Sequence, residues 1–215
     1  MFLEQEIHPE HKELYIGSAT LKCVKLIAAQ NSSIKTLHFK SYFYVPHRES
    51  DDSEEAFTLS REEFLKGESL DRRIQDLKEG WNIGIHSPVQ LTNGESRHFA
   101  LMDIALRKSD ENLLRISRRL REIVVPRFGG GFVLETGKSY HFLGHRLLTP
   151  DQWLDFLGAS LLTSIVTVTL DEEPNIHEMV TDYRYVGYSL LRRSTGLRIT
   201  ANGDKTFVPR VVDVI

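Results

Sequence analysis

Apolar positions along the chain change period several times, and each change predicts an element. Residues 1–48 read as mostly extended. Tyr15 to Ile27 and Ile34 to Val45 are β-rich runs, separated by the hairpin-like Gln30-Asn31-Ser32-Ser33. Residues 47–55, HRESDDSEE, form a charge-dense loop. From Phe57 to Lys78 the residues Phe64, Leu65, Leu70, Ile74 and Leu77 recur at helical spacing, interrupted near Gly67. Gly80 closes that segment as a C-terminal cap. Trp81 to His86 is a short strand, followed by a loop with Ser-Pro, Asn-Gly and Glu-Ser pairs.

The pattern then becomes regular. His98 to Leu106 is a strand, and Ser109 to Val125 a helix capped by Ser109 or Asp110. Leu113, Ile116, Leu120, Ile123 and Val124 give that helix one apolar stripe, and Pro126 stops it. Gly129 to Gly131 lead into a hairpin. A second helix opens at Thr149, with Pro150 at its first position. Ile165 to Leu170 alternate as extended chain, Tyr183 to Thr200 hold two extended stretches, and Thr206 to Ile215 a last one. Residues 98–170 therefore spell strand, helix, strand, strand, helix, strand. That is the β-α-β-β-α-β order of ferredoxin-like sheets, with the first strand beside the second half of the hairpin.

The hairpin carries the most concentrated chemistry. In ETGKSYHFLGH, residues 135–145, Thr136 to Lys138 have turn character. Ser139 and His141, two apart, share one strand face, and Tyr140 and Phe142 share the other. A three-residue turn would set Glu135 opposite Ser139 and add a carboxylate to the polar face. The alternative is a hairpin with one wet face. His141 and His145 would lie roughly 13 Å apart along a strand, too far to share a zinc ion. Ser139 and His141 have no acidic third member for a hydrolase triad. Gly129 to Gly131 follow a helix and lack the Lys-Ser/Thr of a phosphate-binding loop, so they read as a connector. Arg115, Arg118, Arg119 and Arg121 read as a solvated helix face.

Composition narrows the setting. The 215 residues are 40% hydrophobic and 27% charged, ordinary for a globular protein, and the length allows one substantial core or two small ones; the order of strands and helices makes the fold class α/β. The net charge of −3 averages an acidic stretch over 49–79 against basic stretches over 107–127 and 184–210. Cys23 is the only cysteine, which excludes an internal disulfide framework and fits a cytoplasmic protein. No apolar run reaches 18 residues, and the polar N-terminus does not read as a signal peptide, so no membrane partner is expected.

Three elements in order, HFALMDIAL with Asp103, TGKSYHF with His141, and VTDYRYVGYSLLRRSTGLRIT with Asp182, resemble the archaeo-eukaryotic primase, or primase-polymerase, superfamily over residues 80 to 200. The resemblance implies a single domain, residues 1–215. An RRM-like unit, 98–215, would pack with an N-terminal αβ unit, 1–97. It also implies metal-dependent nucleotidyl transfer. Mg²⁺ or Mn²⁺ would sit on Asp103 and Asp182, with His141 also in the catalytic set. Lys138, Ser139, His141 and Arg184 would meet a nucleoside triphosphate, and Arg192, Arg193 and Arg198 a nucleic acid. The family's first motif is Asp-x-Asp, but here the second acid is Ala105, and Glu135 is the one candidate to replace it. Three functions follow: an active polymerase, a binding protein whose catalysis has weakened or lapsed, or a structural subunit. Ala105 favours the second over the first.

Overall fold

The computed structural model describes residues 18–43, 54–167, 175–202 and 207–215. The expected loop at 47–55 falls almost wholly outside them, as does part of the run at 165–170.

The first described element is a helix, α1 (Ala19–Gln30), where a strand was expected. The Ser18 hydroxyl accepts the Leu21 N–H at 3.3 Å and caps it. Leu21, Val24, Ile27 and Ala28 are buried at intervals of three, three and one, a helical stripe. Val24 and Ile27 favour strand by local propensity, and the stripe they form against the core overrides it.

The next elements are β1 (Ile34–Phe43), β2 (Glu54–Ser60), α2 (Arg61–Lys66) and α3 (Glu68–Gln75). The helical segment expected from Phe57 thus begins as strand. Ser60 and Glu63 form a reciprocal capping box that starts α2 at residue 61. Gly67, at φ 91°, ends α2 and turns the chain into α3. β3 (Trp81–Leu91) and β4 (Ser96–Ile104) form a hairpin. β3 runs five residues past the expected end, because only the Asn93-Gly94 turn breaks the ladder.

After β4 come α4 (Asp110–Arg119), a π-helical turn (Leu120–Val124) and α5 (Val125–Phe128). Pro126 follows directly on the π-helical turn, an irregularity of the helical ladder placed just where the proline cannot donate. The helical path therefore continues to Phe128 instead of stopping at the proline. β5 (Gly131–Glu135), β6 (Tyr140–Leu148) and α6 (Pro150–Leu161) follow as expected. β7 (Ile165–Thr167) and β8 (Asn175–Glu178) pair as a separate ribbon. α7 (Tyr183–Arg192), β9 (Gly196–Arg198) and β10 (Arg210–Val214) complete the described chain. α7 replaces the first of the two extended stretches expected between Tyr183 and Thr200. Asp182 caps it and Val186 and Ser189 are its buried positions.

The main sheet is antiparallel, in the order β10-β5-β6-β4-β3-β1-β2, with β9 also on β3. Alternation along β4 feeds two cores. Phe99 and Leu101 face the core built with α1, α2 and α3. Ala100, Met102 and Ile104 face the core built with α4, α5, α6 and α7. β4 pairs with β3 only from Ser96 to His98 and then leaves it, and β9 takes the vacated edge at Gly84–His86. On the edge of β4 that β3 has left, Ile104 bridges Thr181, and the Ala105 N–H donates to the Val180 carbonyl at 2.8 Å.

Candidate functional site

Two ladders meet at the C-terminal end of β4 and align the three motif residues. On one side, β6 pairs Asp103 with His141. On the other, the Ile104–Thr181 bridge is antiparallel, so one step along it sets Asp182 opposite Asp103. Cross-strand partners share a face. Asp103 has the parity of Phe99 and Leu101, away from the face of Ile104. His141 Nε2 lies 3.5 Å from Asp103 Oδ1. The imidazole is nearly buried, 11% exposed, whereas 38% of the Asp103 side chain is open. The site is thus a carboxylate at the surface backed by an enclosed histidine.

Asp182 arrives with its carboxylate engaged. Oδ1 accepts the Arg184 N–H at 2.8 Å, and the Arg184 guanidinium lies 3.3 Å from Oδ2. That pairing raises the Arg184 pKa, through the hydrogen bond first and the charge second. Ser139 and Lys138 occupy the adjoining turn. Ser139 Oγ is 3.1 Å from Thr136 Oγ1, and the exposed Lys138 accepts the Lys108 N–H on its carbonyl at 2.9 Å.

Glu135 corrects the sequence reading. The turn holds four residues, so Glu135 pairs with Tyr140 and Leu134 pairs with His141. One residue of register reverses the face. Glu135 therefore lies on the sheet face opposite Asp103 and His141. Its carboxylate is 2.6 Å from Lys108 Nζ and 3.0 Å from Arg210. Burial alone would push this carboxyl up, but the bonds and charge from Lys108 and Arg210 outweigh it and hold the pKa low. It is a structural anion and does not replace the acid missing at Ala105.

Arg198 is a second correction. It is 9% exposed, and its guanidinium donates to the carbonyls of Thr200 and Phe207. Those bonds hold it in the fold and away from a phosphate backbone. Arg192 and Arg193 end α7 on the surface, with Arg192 over the Tyr188 ring at 5.8 Å.

Tyr185 is a site neighbour that the sequence reading missed. Its hydroxyl donates to the Gly196 carbonyl at 3.3 Å, and burial, then the nearby Asp103 charge, raise its pKa. No local signal marks it in the sequence, because the stretch from Tyr183 reads as extended chain and becomes a capped helix only in the fold.

A sequence model of the archaeo-eukaryotic primase 1D-like family matches residues 61–209. The chain belongs to this archaeo-eukaryotic primase-like family. No curated protein and no solved structure matches it. Members of the family typically use divalent metals. Among the described residues, no group of three or more His, Cys, Asp or Glu side chains could hold a metal ion. Asp182 is partly neutralised by Arg184, Glu135 is on the other face, and Ala105 supplies no ligand. The described residues do not by themselves fit a resident Mg²⁺ or Mn²⁺, which requires several oxygen ligands.

Proposed function

We propose that this primase-polymerase-like protein binds a nucleoside triphosphate and single-stranded nucleic acid, with nucleotidyl transfer weakened or lost. It would work in the cytoplasm. The observation that carries the proposal is the alignment of His141, Asp103 and Asp182 across adjacent chain segments on one face. The family's motif order is kept in space while the second acid of the first motif is gone. Lys138, Ser139, His141 and Arg184 supply donors and positive charge for phosphate oxygens. The ferredoxin-like, RRM-like reading of residues 98–215 is part of the same proposal. The order β5-β6-β4 supports it, together with the bridge at Thr181 beside β4.

The test is calorimetric titration with a nucleoside triphosphate, with and without Mn²⁺. Binding in the micromolar to millimolar range is expected without the metal, with His141→Ala weakening it about tenfold, or about 1.4 kcal/mol. No binding at millimolar triphosphate under either condition would refute the site. Primer extension by the wild type would refute the loss of transfer.

Nucleic-acid binding makes a separate prediction. Arg192 and Arg193 lie together at the exposed end of α7. Single-strand affinity should fall linearly on a log–log salt plot, and Arg192→Gln with Arg193→Gln should reduce that slope by about 1 to 2. Binding indifferent to salt would exclude a phosphate-tracking role.

A further inference from the structure

A second concavity lies away from that site, on the β1–β2 side of the sheet. It has a volume of about 460 Å³ and is lined by Ser41, Arg72, Arg73, Lys78 and Trp81, with Ser69, Leu77, Glu55 and Asp76 completing it. The sheet order sets β3 and β1 between β4 and the β2 wall, so the space shares no residue with the Asp103–His141 site.

Its construction is specific. β1 and β3 pair as Ser41↔Ile83 and Phe43↔Trp81, so Ser41, Trp81 and Ile83 share a sheet face. Ser41 is 8% exposed and forms part of the inner wall. α3 contributes Arg72 and Arg73 from its last turn. Arg73 is fixed there by the Phe57 ring, 4.2 Å from its guanidinium carbon, and by Glu55 at 3.5 Å. Lys78 lies 5.8 Å from the centroid of the Trp81 ring. Three cations against two carboxylates leave the rim net positive.

Each part constrains the ligand. Arginine forks and a lysine recognise phosphate oxygens. A half-buried indole offers an apolar plane on which a flat heterocycle can lie. The volume falls within the range of small-molecule sites and suits one nucleotide, not a duplex. We propose that this pocket binds a nucleoside monophosphate group, its base along Trp81 and its phosphate toward Arg72 and Lys78. The group could arrive free or as part of a strand.

The chain has only two tryptophans, and Trp153 is 2% exposed. Quenching of intrinsic fluorescence therefore reports chiefly on Trp81. The titration uses the full chain carrying His141→Ala, which weakens the triphosphate site, and the Trp81 signal reports on this pocket. Adenosine monophosphate is expected to quench saturably at sub-millimolar concentration. Adenosine alone and inorganic phosphate should bind at least tenfold more weakly. Arg72→Gln with Lys78→Gln, both exposed positions, should weaken the nucleotide at least tenfold with an unchanged circular dichroism spectrum. A phosphorylated oligonucleotide that binds tighter than the mononucleotide assigns the group to a strand, and one that binds more weakly assigns it to free nucleotide. Equal binding of inorganic phosphate and nucleotide would overturn the base contact. No saturable quenching, or affinity unchanged in the double variant, would overturn the site. None of these outcomes bears on triphosphate binding through His141, which is measured in the wild-type background.

Discussion

Glu135→Gln is expected to lower the unfolding free energy by about 2 to 3 kcal/mol while leaving triphosphate affinity unchanged. The carboxylate is 4% exposed and sits between Lys108, just ahead of α4, and Arg210, which opens β10. Removing one partner of a buried pair typically costs about 3 to 5 kcal/mol, because the other charge is left unpaired. Here the cations are 44% and 62% exposed, so they recover hydration, and the cost falls toward or below the bottom of that range. The pH sign is fixed by the low folded pKa. This contribution is complete above the unfolded carboxyl value and is lost as pH falls through the folded one. Urea unfolding at pH 7 measures it, with a shifted midpoint and an unchanged m-value. A large loss of triphosphate affinity in a fully folded variant would return Glu135 to the binding site and contradict the register described above.

How much was legible in the sequence depended on how local each signal was. Ser109 and Thr149 are self-contained caps, and both helices start where those residues place them. Asp103 and His141 stand out in the sequence through the ordered motifs of the primase resemblance, and the β4–β6 ladder sets them opposite each other. α1 and α7 were read as extended, because their β-branched and aromatic residues favour strand while the buried stripe that makes them helices exists only in the packed fold. Glu135 failed for a narrower reason. A four-residue turn and a three-residue turn have nearly the same composition, yet they differ by one step of register and reverse the face. Arg198 failed because no sequence feature distinguishes an arginine that binds phosphate from one that satisfies two buried carbonyls.

Acid should destabilise the protein through its enclosed histidines before its carboxylates respond. His98 is 7% exposed and stacks on Trp153, with ring centroids 4.6 Å apart. Its Nδ1 lies 3.1 Å from Ser87 Oγ, and burial pushes its pKa down to about 4. His86 is also pushed down to about 4, by burial first and then by Lys40, Arg192 and His38. In the unfolded chain both take a proton near 6.5, the ordinary value, so between 6.5 and 4 the unfolded state binds more protons. Stability therefore rises with pH across that window and is lost as pH falls through it. Each histidine can contribute up to about 3 kcal/mol. Together they are comparable to the whole stability of a typical domain, about 5 to 15 kcal/mol. His98→Phe retains a ring against Trp153 and cannot protonate, so it should remove about half of the loss between pH 7 and pH 4.5. Urea midpoints of the two proteins at both pH values provide the measurement. An identical pH dependence in wild type and His98→Phe would mean that His98 takes up its proton without unfolding, and that the His98–Trp153 stack accommodates an imidazolium.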